Sequence, residues 1–191
     1  LEIPDSGTIE IMSQKLEHLS LKALDEIRAD IGFLFQGSAL YDSMTVRENL
    51  EFPLRRHISK FGNVKDTLPL VEEALQNVGL KNVIDLMPNE LSGGMKRRVA
   101  LARTLILKPK IIIYDEPTTG LDPITSKEII LLMKSVQEKY KTSSIIITHD
   151  VDCARVIANR MILLIDGKNY AEGTFAELST SQDPKVKAFF K

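Results

Sequence analysis

The chain has 191 residues, with 25 Lys and Arg against 26 Asp and Glu, which leaves a formal net charge of −1. That length allows one domain or one domain with an appendage, and the near-neutral charge argues against a dedicated nucleic-acid binder, which usually carries a basic excess. A single cysteine, Cys153, excludes a disulfide scaffold and a cysteine-rich zinc site. No stretch reaches the ~18 uncharged apolar residues that a membrane span needs. The chain begins with Leu1 and not with Met, and we expect it to be cut from a longer protein.

The first part of the chain is predicted to alternate short strands with a helix. Residues 8–11 alternate as in a half-buried strand, and Ser20 is placed to cap a short helix. The apolar residues 31–35 indicate a buried strand that ends at Gln36.

The next part of the chain is predicted to be helical. A capping box that begins at Thr45 opens a helix that we expect to run to about Pro53. Residues 68–78 carry helical spacing, and Gly79 is a typical helix stop. We therefore expect a small helical insertion, over about residues 40–92, within a single domain.

The second half of the chain alternates helices and strands, which implies a parallel α/β sheet. The predicted elements are a helix over 93–107, a strand over 111–114, a helix over 124–140, a strand over 145–148, a helix over 151–158 and a strand over 161–165 that turns at Asp166-Gly167. The continuous apolar run 111–114 is typical of a central parallel strand that is covered on both faces.

Two carboxylates, Asp115 and Glu116, follow the apolar run 111–114 at its carboxyl end. Ligands of open α/β sheets bind at that end of the strands. An aspartate there can hold Mg²⁺ directly or through water, and a neighbouring glutamate can orient and deprotonate an attacking water. The alternative is a strand that ends in a solvated acidic turn.

A serine and two glycines, Ser92, Gly93 and Gly94, precede the long predicted helix. The glycines permit close approach of the backbone to a ligand. The serine hydroxyl and the exposed N–H groups of the helix start form an anion site that the helix dipole favours. Taken alone, the same residues would also suit an ordinary serine N-cap with a tight turn.

Two further polar residues stand directly after predicted strands. His149 follows the strand 145–148, and Gln36 follows the strand 31–35. In a parallel sheet His149 would project toward the same edge as Glu116, and Gln36 could touch metal, water or phosphate. The alternatives are a structural polar cap for His149 and a plain loop residue for Gln36.

The order of these residues resembles the ATP-binding subunit of ABC transporters across essentially the whole chain. The matching motifs are the glutamine loop at Gln36, the signature Leu91-Ser92-Gly93-Gly94, the Walker B run that ends in Asp115, the catalytic Glu116, the D-loop Asp122 and the switch His149. The resemblance implies an α/β fold, with a P-loop NTPase-like parallel sheet and a helical insertion.

The resemblance also implies a dimer and a membrane partner. Two such subunits would enclose two ATP molecules head to tail, with Ser92, Gly93 and Gly94 on the γ-phosphate held by the opposite subunit. Asp122 would bridge the dimer interface. The helical insertion is where the family docks a transmembrane permease subunit.

The resemblance assigns the chemistry to the remaining motif residues. Asp115 would sit in the Mg²⁺ shell, and Gln36 would sense that ion and relay its state to the membrane partner. Glu116 would act as general base on the lytic water, and His149 would touch the γ-phosphate of ATP.

Three features are similar to the ATPases of Mla-type, MCE-associated systems, which move phospholipid across the envelope of Gram-negative bacteria. They are Met95 in place of the usual signature glutamine, the glutamine-loop sequence 35–40 and the closing stretch 183–190. This similarity implies a peripheral subunit on the cytoplasmic face of the inner membrane, with an MCE-type lipid-binding protein among its partners and no nucleic acid. The alternative for Met95 is a neutral substitution, since methionine packs well in most partly buried positions.

A P-loop of the form Gly-x-x-x-x-Gly-Lys-[Ser/Thr] does not occur in this sequence, in which the only Gly-Lys pair, Gly167-Lys168, is followed by Asn169. In the family, the turn at residues 4–7 falls shortly after the P-loop helix. We therefore expect the domain to be N-terminally truncated, without its first strands and P-loop, and unable to bind ATP normally by itself.

Two functions of different class follow from the missing P-loop. In the first, the natural protein has a P-loop and hydrolyses ATP to drive transport. In the second, it naturally lacks one and is a non-catalytic subunit that donates its signature to a partner's ATP site. The intact Asp115, Glu116 and His149 favour the first. A DNA-repair ATPase of the wider superfamily is a third alternative, disfavoured because the chain has no long coiled-coil insertion.

Overall fold

The computed structural model describes residues 4–17, 19–57 and 66–190. Its helices are α1 Leu21–Ala29, α2 Val46–Arg56, α3 Leu68–Asn77, α4 Gly93–Leu105, α5 Pro123–Tyr140, α6 Val151–Ile157, α7 Phe175–Ser179 and α8 Pro184–Lys187. Its strands are β1 Glu10–Ile11, β2 Gln14–Lys15, β3 Ile31–Leu34, β4 Ile111–Asp115, β5 Ser143–Ile147, β6 Met161–Ile165 and β7 Lys168–Gly173. Within these ranges, none of the helices is long and apolar enough to cross a bilayer.

Three of the strands form a parallel sheet in the order β3-β4-β5. The register places Phe33 opposite Ile113, and Ile113 opposite Ile145. The strand with the continuous apolar run therefore lies in the middle, as that pattern predicts. Strands β6 and β7 form an antiparallel hairpin, and its turn residues Asp166 and Gly167 both have left-handed backbone angles, which confirms the predicted turn.

Helix α4 packs closely against β3 and determines one residue of that strand. A Cβ on Gly32 would lie 2.5 Å from Cγ2 of Thr104 and 3.1 Å from Cγ of Pro109, so only glycine fits at this crossing. The hydroxyl of Thr104 donates to the carbonyl of Phe33 at 3.2 Å. The largest fully buried side chains belong to one continuous core that joins the sheet to the helices, and they include Leu34, Leu50, Leu101, Ile112, Tyr114, Ile129 and Met133.

The two faces of the parallel sheet are not equally covered. Phe33, Phe35, Ile145 and Ile147 remain 38%, 48%, 56% and 48% exposed, whereas Leu34, between the two phenylalanines, and Ile112, on the central strand β4, are fully buried. The prediction of a buried strand over 31–35, and of cover on both faces of 111–114, is therefore wrong in part. The reason is that side chains alternate between the faces of a strand, and in the described part of the chain helices cover mainly one face.

The helix starts predicted from capping residues are confirmed. The side chain of Ser20 accepts from the N–H of Ala23 at the start of α1, and Thr45 and Glu48 form the predicted capping box of α2. The expected end of α2 at about Pro53 is wrong, because the helix continues to Arg56. The turn after Pro53 is retained because Leu54 is buried in the core.

Candidate functional site

The carboxyl ends of β4 and β5 bring a glutamate and a histidine together. Glu116 directly follows β4, and its backbone N–H donates to the carbonyl of Ile147 at the end of β5, at 2.9 Å. His149 lies two residues beyond that carbonyl, with its Nδ1 2.9 Å from Oε1 of Glu116. The expectation that His149 projects toward the same edge as Glu116 is confirmed.

The carboxylate of Glu116 is held on both of its oxygens. His149 contacts Oε1, and the hydroxyl of Thr119 donates to Oε2 at 2.9 Å. The hydrogen bond and the negative charge of Glu116 raise the pKa of His149, whose ring is 78% exposed. Glu116 itself has a φ of +46°, a left-handed angle that non-glycine residues rarely adopt. The strand therefore stops here, and the carboxylate lies at the edge of the sheet. The role of Glu116 as a general base stays a prediction.

A cleft of about 590 Å³ opens beside this pair, lined by residues 118–120, by residues 149–152 and by Ser126, Phe189 and Phe190. The hydroxyl of Thr118 donates to Oδ2 of Asp150 at 3.1 Å across the cleft floor. Asp150 also caps α6 by accepting from the N–H groups of Asp152 and Cys153. The loop after β4 and the loop after β5 are thereby held together.

Asp115 and Gln36 lie at the carboxyl ends of adjacent strands. Asp115 is the last residue of β4, and Gln36 follows β3 by two residues and is exposed. Their carboxylate and amide oxygens fit Mg²⁺, which proteins bind through one or two carboxylates together with substrate phosphates. Among the residues that the structure describes, no group of three or more His, Cys, Asp or Glu could hold a metal ion. The metal role of Asp115 and Gln36 stays a prediction.

The signature residues form the open start of α4. The hydroxyl of Ser92 accepts from the N–H of Met95 at 3.2 Å, so the serine is an N-cap, and Ser92 and Gly93 are exposed to solvent. A Cβ on Gly94 would lie 2.6 Å from Cγ2 of Thr125, which shows how closely α4 approaches α5 at this point. The role of these residues toward phosphate stays a prediction.

Asp122 has a local role that the sequence reasoning missed. Its carboxylate caps α5 by accepting from the N–H groups of Ile124 and Thr125, both at 3.0 Å, and from the hydroxyl of Thr125. The hydrogen bonds from Thr125 lower the pKa of Asp122. Because Thr125 also touches the start of α4, the D-loop and the signature are packed around one side chain. The dimer role of Asp122 stays a prediction.

Two arginines of α4 hold the glutamine loop and were also missed. Arg97 donates to the carbonyl of Phe35, and Arg103 donates to the carbonyls of Ser38 and Ala39. The burial of Arg97 could have been predicted from helical spacing, because Arg97 lies on the same face of the helix as the buried Ala100, Leu101 and Thr104.

Comparison of the sequence with known proteins shows which family the chain resembles. A model of the ABC transporter family matches residues 1–119. The intermembrane phospholipid transport system ATP-binding protein MlaF of Haemophilus influenzae is 40% identical over 189 residues, which cover 99% of this chain and 71% of that protein. The methionine import ATP-binding protein MetN 2 of Bacillus cereus is 38% identical over 187 residues, and the match covers 98% of this chain and 54% of that protein.

Solved structures agree with the observed fold. A dimeric, post-hydrolysis structure of the ATP-binding cassette MJ0796 bound to ADP and Pi superposes with a TM-score of 0.79 at 35% sequence identity. The match covers 91% of this chain and 75% of that one. The predicted fold class, an ABC ATPase domain, is confirmed. The chain belongs to the ABC transporter family, as an ATP-binding subunit of the ABC ATPase type.

Proposed function

We propose that the protein hydrolyses ATP to drive phospholipid transport across a bacterial envelope. The observation that carries the hydrolytic part is the carboxylate of Glu116, held between His149 and Thr119 at the end of the central strand. Each carboxylate oxygen has two lone pairs, so both oxygens can accept a further hydrogen bond from a water. Glu116 would orient that water and take its proton, while His149 would contact the γ-phosphate.

Contacts to Mg²⁺ and to phosphate are proposed for the remaining motif residues. Asp115 and Gln36 are the oxygen donors that would hold Mg²⁺, which neutralises phosphate charge when it is bound. The exposed start of α4, at Ser92 and Gly93, presents free N–H groups that suit the γ-phosphate of a second subunit. The dimeric MJ0796 cassette with ADP and Pi supports this arrangement, in which Asp122 would lie at the interface of a homodimer.

The helical region over about residues 40–92 is proposed as the docking site of a transmembrane permease subunit. Tyr41, in the loop after Gln36, and Phe52, on α2, are 43% and 39% exposed, and their ring centroids lie 4.8 Å apart. An exposed aromatic pair is typical of protein–protein contact surfaces. The subunit would then lie at the cytoplasmic face of the inner membrane, with an MCE-type lipid-binding protein in the same system.

The cargo is proposed from the similarity to the phospholipid ATPase of Haemophilus influenzae. The competing cargo is methionine, because the methionine import ATPase of Bacillus cereus is nearly as similar. With the transporter reconstituted in vesicles, we expect ATP-dependent movement of a fluorescent phospholipid and no accumulation of methionine. The reverse result would overturn the cargo assignment and leave the hydrolytic assignment intact.

The hydrolytic role is tested in the assembled transporter by Glu116→Gln, with Glu138→Gln as control on an exposed carboxylate of α5 outside the proposed docking region. We expect Glu116→Gln to bind ATP normally and to lose nearly all turnover, since the amide accepts no proton. The control should hydrolyse ATP as the wild type does. Normal turnover in Glu116→Gln would favour the second candidate function, a non-catalytic subunit that donates its signature to a partner's ATP site.

A further inference from the structure

The side chain of Arg97, on the signature helix α4, is buried and has no acidic partner among the residues that the structure describes. Only 3% of the residue is exposed, and within the described residues its Nε has no hydrogen-bond partner. Desolvation lowers the pKa of the guanidinium. A buried charge that no carboxylate compensates opposes folding, so stability by itself does not account for an arginine at this position.

The two hydrogen bonds of Arg97 reach two different loops of the site. Nη1 donates to the carbonyl of Phe35 at 2.9 Å, and Nη2 donates to the carbonyl of Thr119 at 3.3 Å. Phe35 directly precedes Gln36, the glutamine-loop residue. Thr119 holds Oε2 of Glu116 through its own hydroxyl. One rigid guanidinium therefore joins the glutamine loop to the residue that orients the catalytic carboxylate.

The neighbouring arginines of the same helix do not make this connection. Arg98 donates to the carbonyl of Val78 at 2.9 Å and pairs with Glu128 on α5. Arg103 donates to carbonyls of the glutamine loop and to Asn49. Of these three arginines, Arg97 alone is bonded to both the glutamine loop and the loop after β4.

We propose that Arg97 is a positioning residue that couples the glutamine loop to the catalytic carboxylate. When Phe35 moves, the hydrogen bond to its carbonyl moves the guanidinium of Arg97, and the guanidinium in turn moves the carbonyl of Thr119. The hydroxyl of Thr119, which donates to Glu116, moves with it. Gly120, directly after Thr119, has a φ of +80°, and no atom of the described part of the chain lies within 4 Å of where its Cβ would stand, so the backbone beside Thr119 has room to move. The proposal rests on the proposed hydrolytic function, and it adds a route by which the membrane partner controls the base.

The test compares Arg97→Met, Arg97→Lys and Arg98→Met in the assembled transporter. Methionine fills a similar volume but removes both hydrogen bonds together with the buried charge, so the fold is retained. Lysine keeps the charge but lacks the planar fork that reaches two carbonyls at once. Arg98→Met is the matched control, because it removes an arginine of the same helix that touches neither loop. The readouts are kcat and KM for ATP, the ratio of turnover with and without the membrane subunits, and the Tm of each variant.

We expect Arg97→Met to lower kcat about tenfold, the effect of one charge-assisted hydrogen bond, with KM for ATP unchanged. Its turnover should respond little to the membrane subunits. Arg97→Lys should be intermediate, and Arg98→Met should keep the wild-type kcat and response. Wild-type kcat and response in Arg97→Met, or equal losses in Arg97→Met and Arg98→Met that follow their Tm, would overturn the proposal. Either result is distinguishable from failure of the proposed function, in which Glu116→Gln itself would hydrolyse ATP normally.

Discussion

The carboxylate of Glu51, on α2, is buried and held by three side chains. Arg47 donates to it at 2.8 Å, Thr67 at 2.7 Å and Arg55 at 2.5 Å. Burial opposes the charged form, but these hydrogen bonds outweigh burial and lower the pKa of Glu51 from 4.5 to about 2. Thr67 stands directly before α3, so the carboxylate ties the two helices of the proposed docking region together. Glu51→Gln removes the charge and keeps the shape of the side chain.

The lowered pKa predicts a stability that depends on pH in one direction. A group whose pKa is lower in the folded chain stabilises that chain above its unfolded pKa, and the stabilisation is lost as the pH falls through the folded value. The stabilisation that Glu51 gives the folded chain is therefore lost as the pH falls from about 5 to about 2. The gap between 4.5 and about 2 corresponds to about 3 kcal/mol of unfolding free energy at pH 7.

The assay is urea unfolding of the full chain between pH 7 and pH 2. We expect Glu51→Gln to be about 3 kcal/mol less stable than the wild type at pH 7, with the two curves converging near pH 2. Glu72→Gln, at an exposed carboxylate, should follow the wild type at every pH. A deficit in Glu51→Gln that stays constant on acidification, or one well under 1 kcal/mol at pH 7, would refute the electrostatic origin of this stability.

Two further predictions concern the site itself. Gly94→Ala places a methyl group 2.6 Å from Cγ2 of Thr125. We expect it to lower the free energy of unfolding in urea by about 1–3 kcal/mol. Adding Thr125→Ser should restore most of that loss, because serine lacks the Cγ2 methyl. No recovery in the double variant would show that the contact is not the cause. Glu116→Gln should lower the pKa of His149 toward 6.5 in an NMR titration, because the hydrogen bond and charge of Glu116 are the two largest causes that raise it. An unchanged pKa would mean that the pair is not formed in solution.

The order of helices and strands could be predicted from the sequence because it depends on interactions between near neighbours. The caps at Ser20 and Thr45 and the stop at Gly79 all act within one turn of a helix. The end of α2 could not be predicted in the same way. The proline rule favours a stop at Pro53, whereas packing of Leu54 into the core carries the helix one turn further.

The meeting of Glu116 and His149 was also predictable. Both follow apolar strands, and parallel strands bring their carboxyl ends to one edge of the sheet. Recognition of the strands therefore predicts that the two residues share an edge of the sheet, whereas their direct contact depends on β4 and β5 being adjacent, which the tertiary structure decided. The placement of Asp115 and Gln36 at the carboxyl-end edge of the sheet follows from the same rule.

The sequence by itself determined the family, the strand-end positions of Glu116 and His149, and the start of the signature helix, because each depends on residue type and short spacing. Tertiary structure alone decided the contacts of Arg97 with Phe35 and Thr119, of Glu51 with Thr67, and of Thr125 with Gly94, because each of these contacts joins two different elements. Arg97 and Phe35 are 62 residues apart along the chain. Such pairs form only where packed helices bring distant loops into hydrogen-bond range, and no local pattern records that distance.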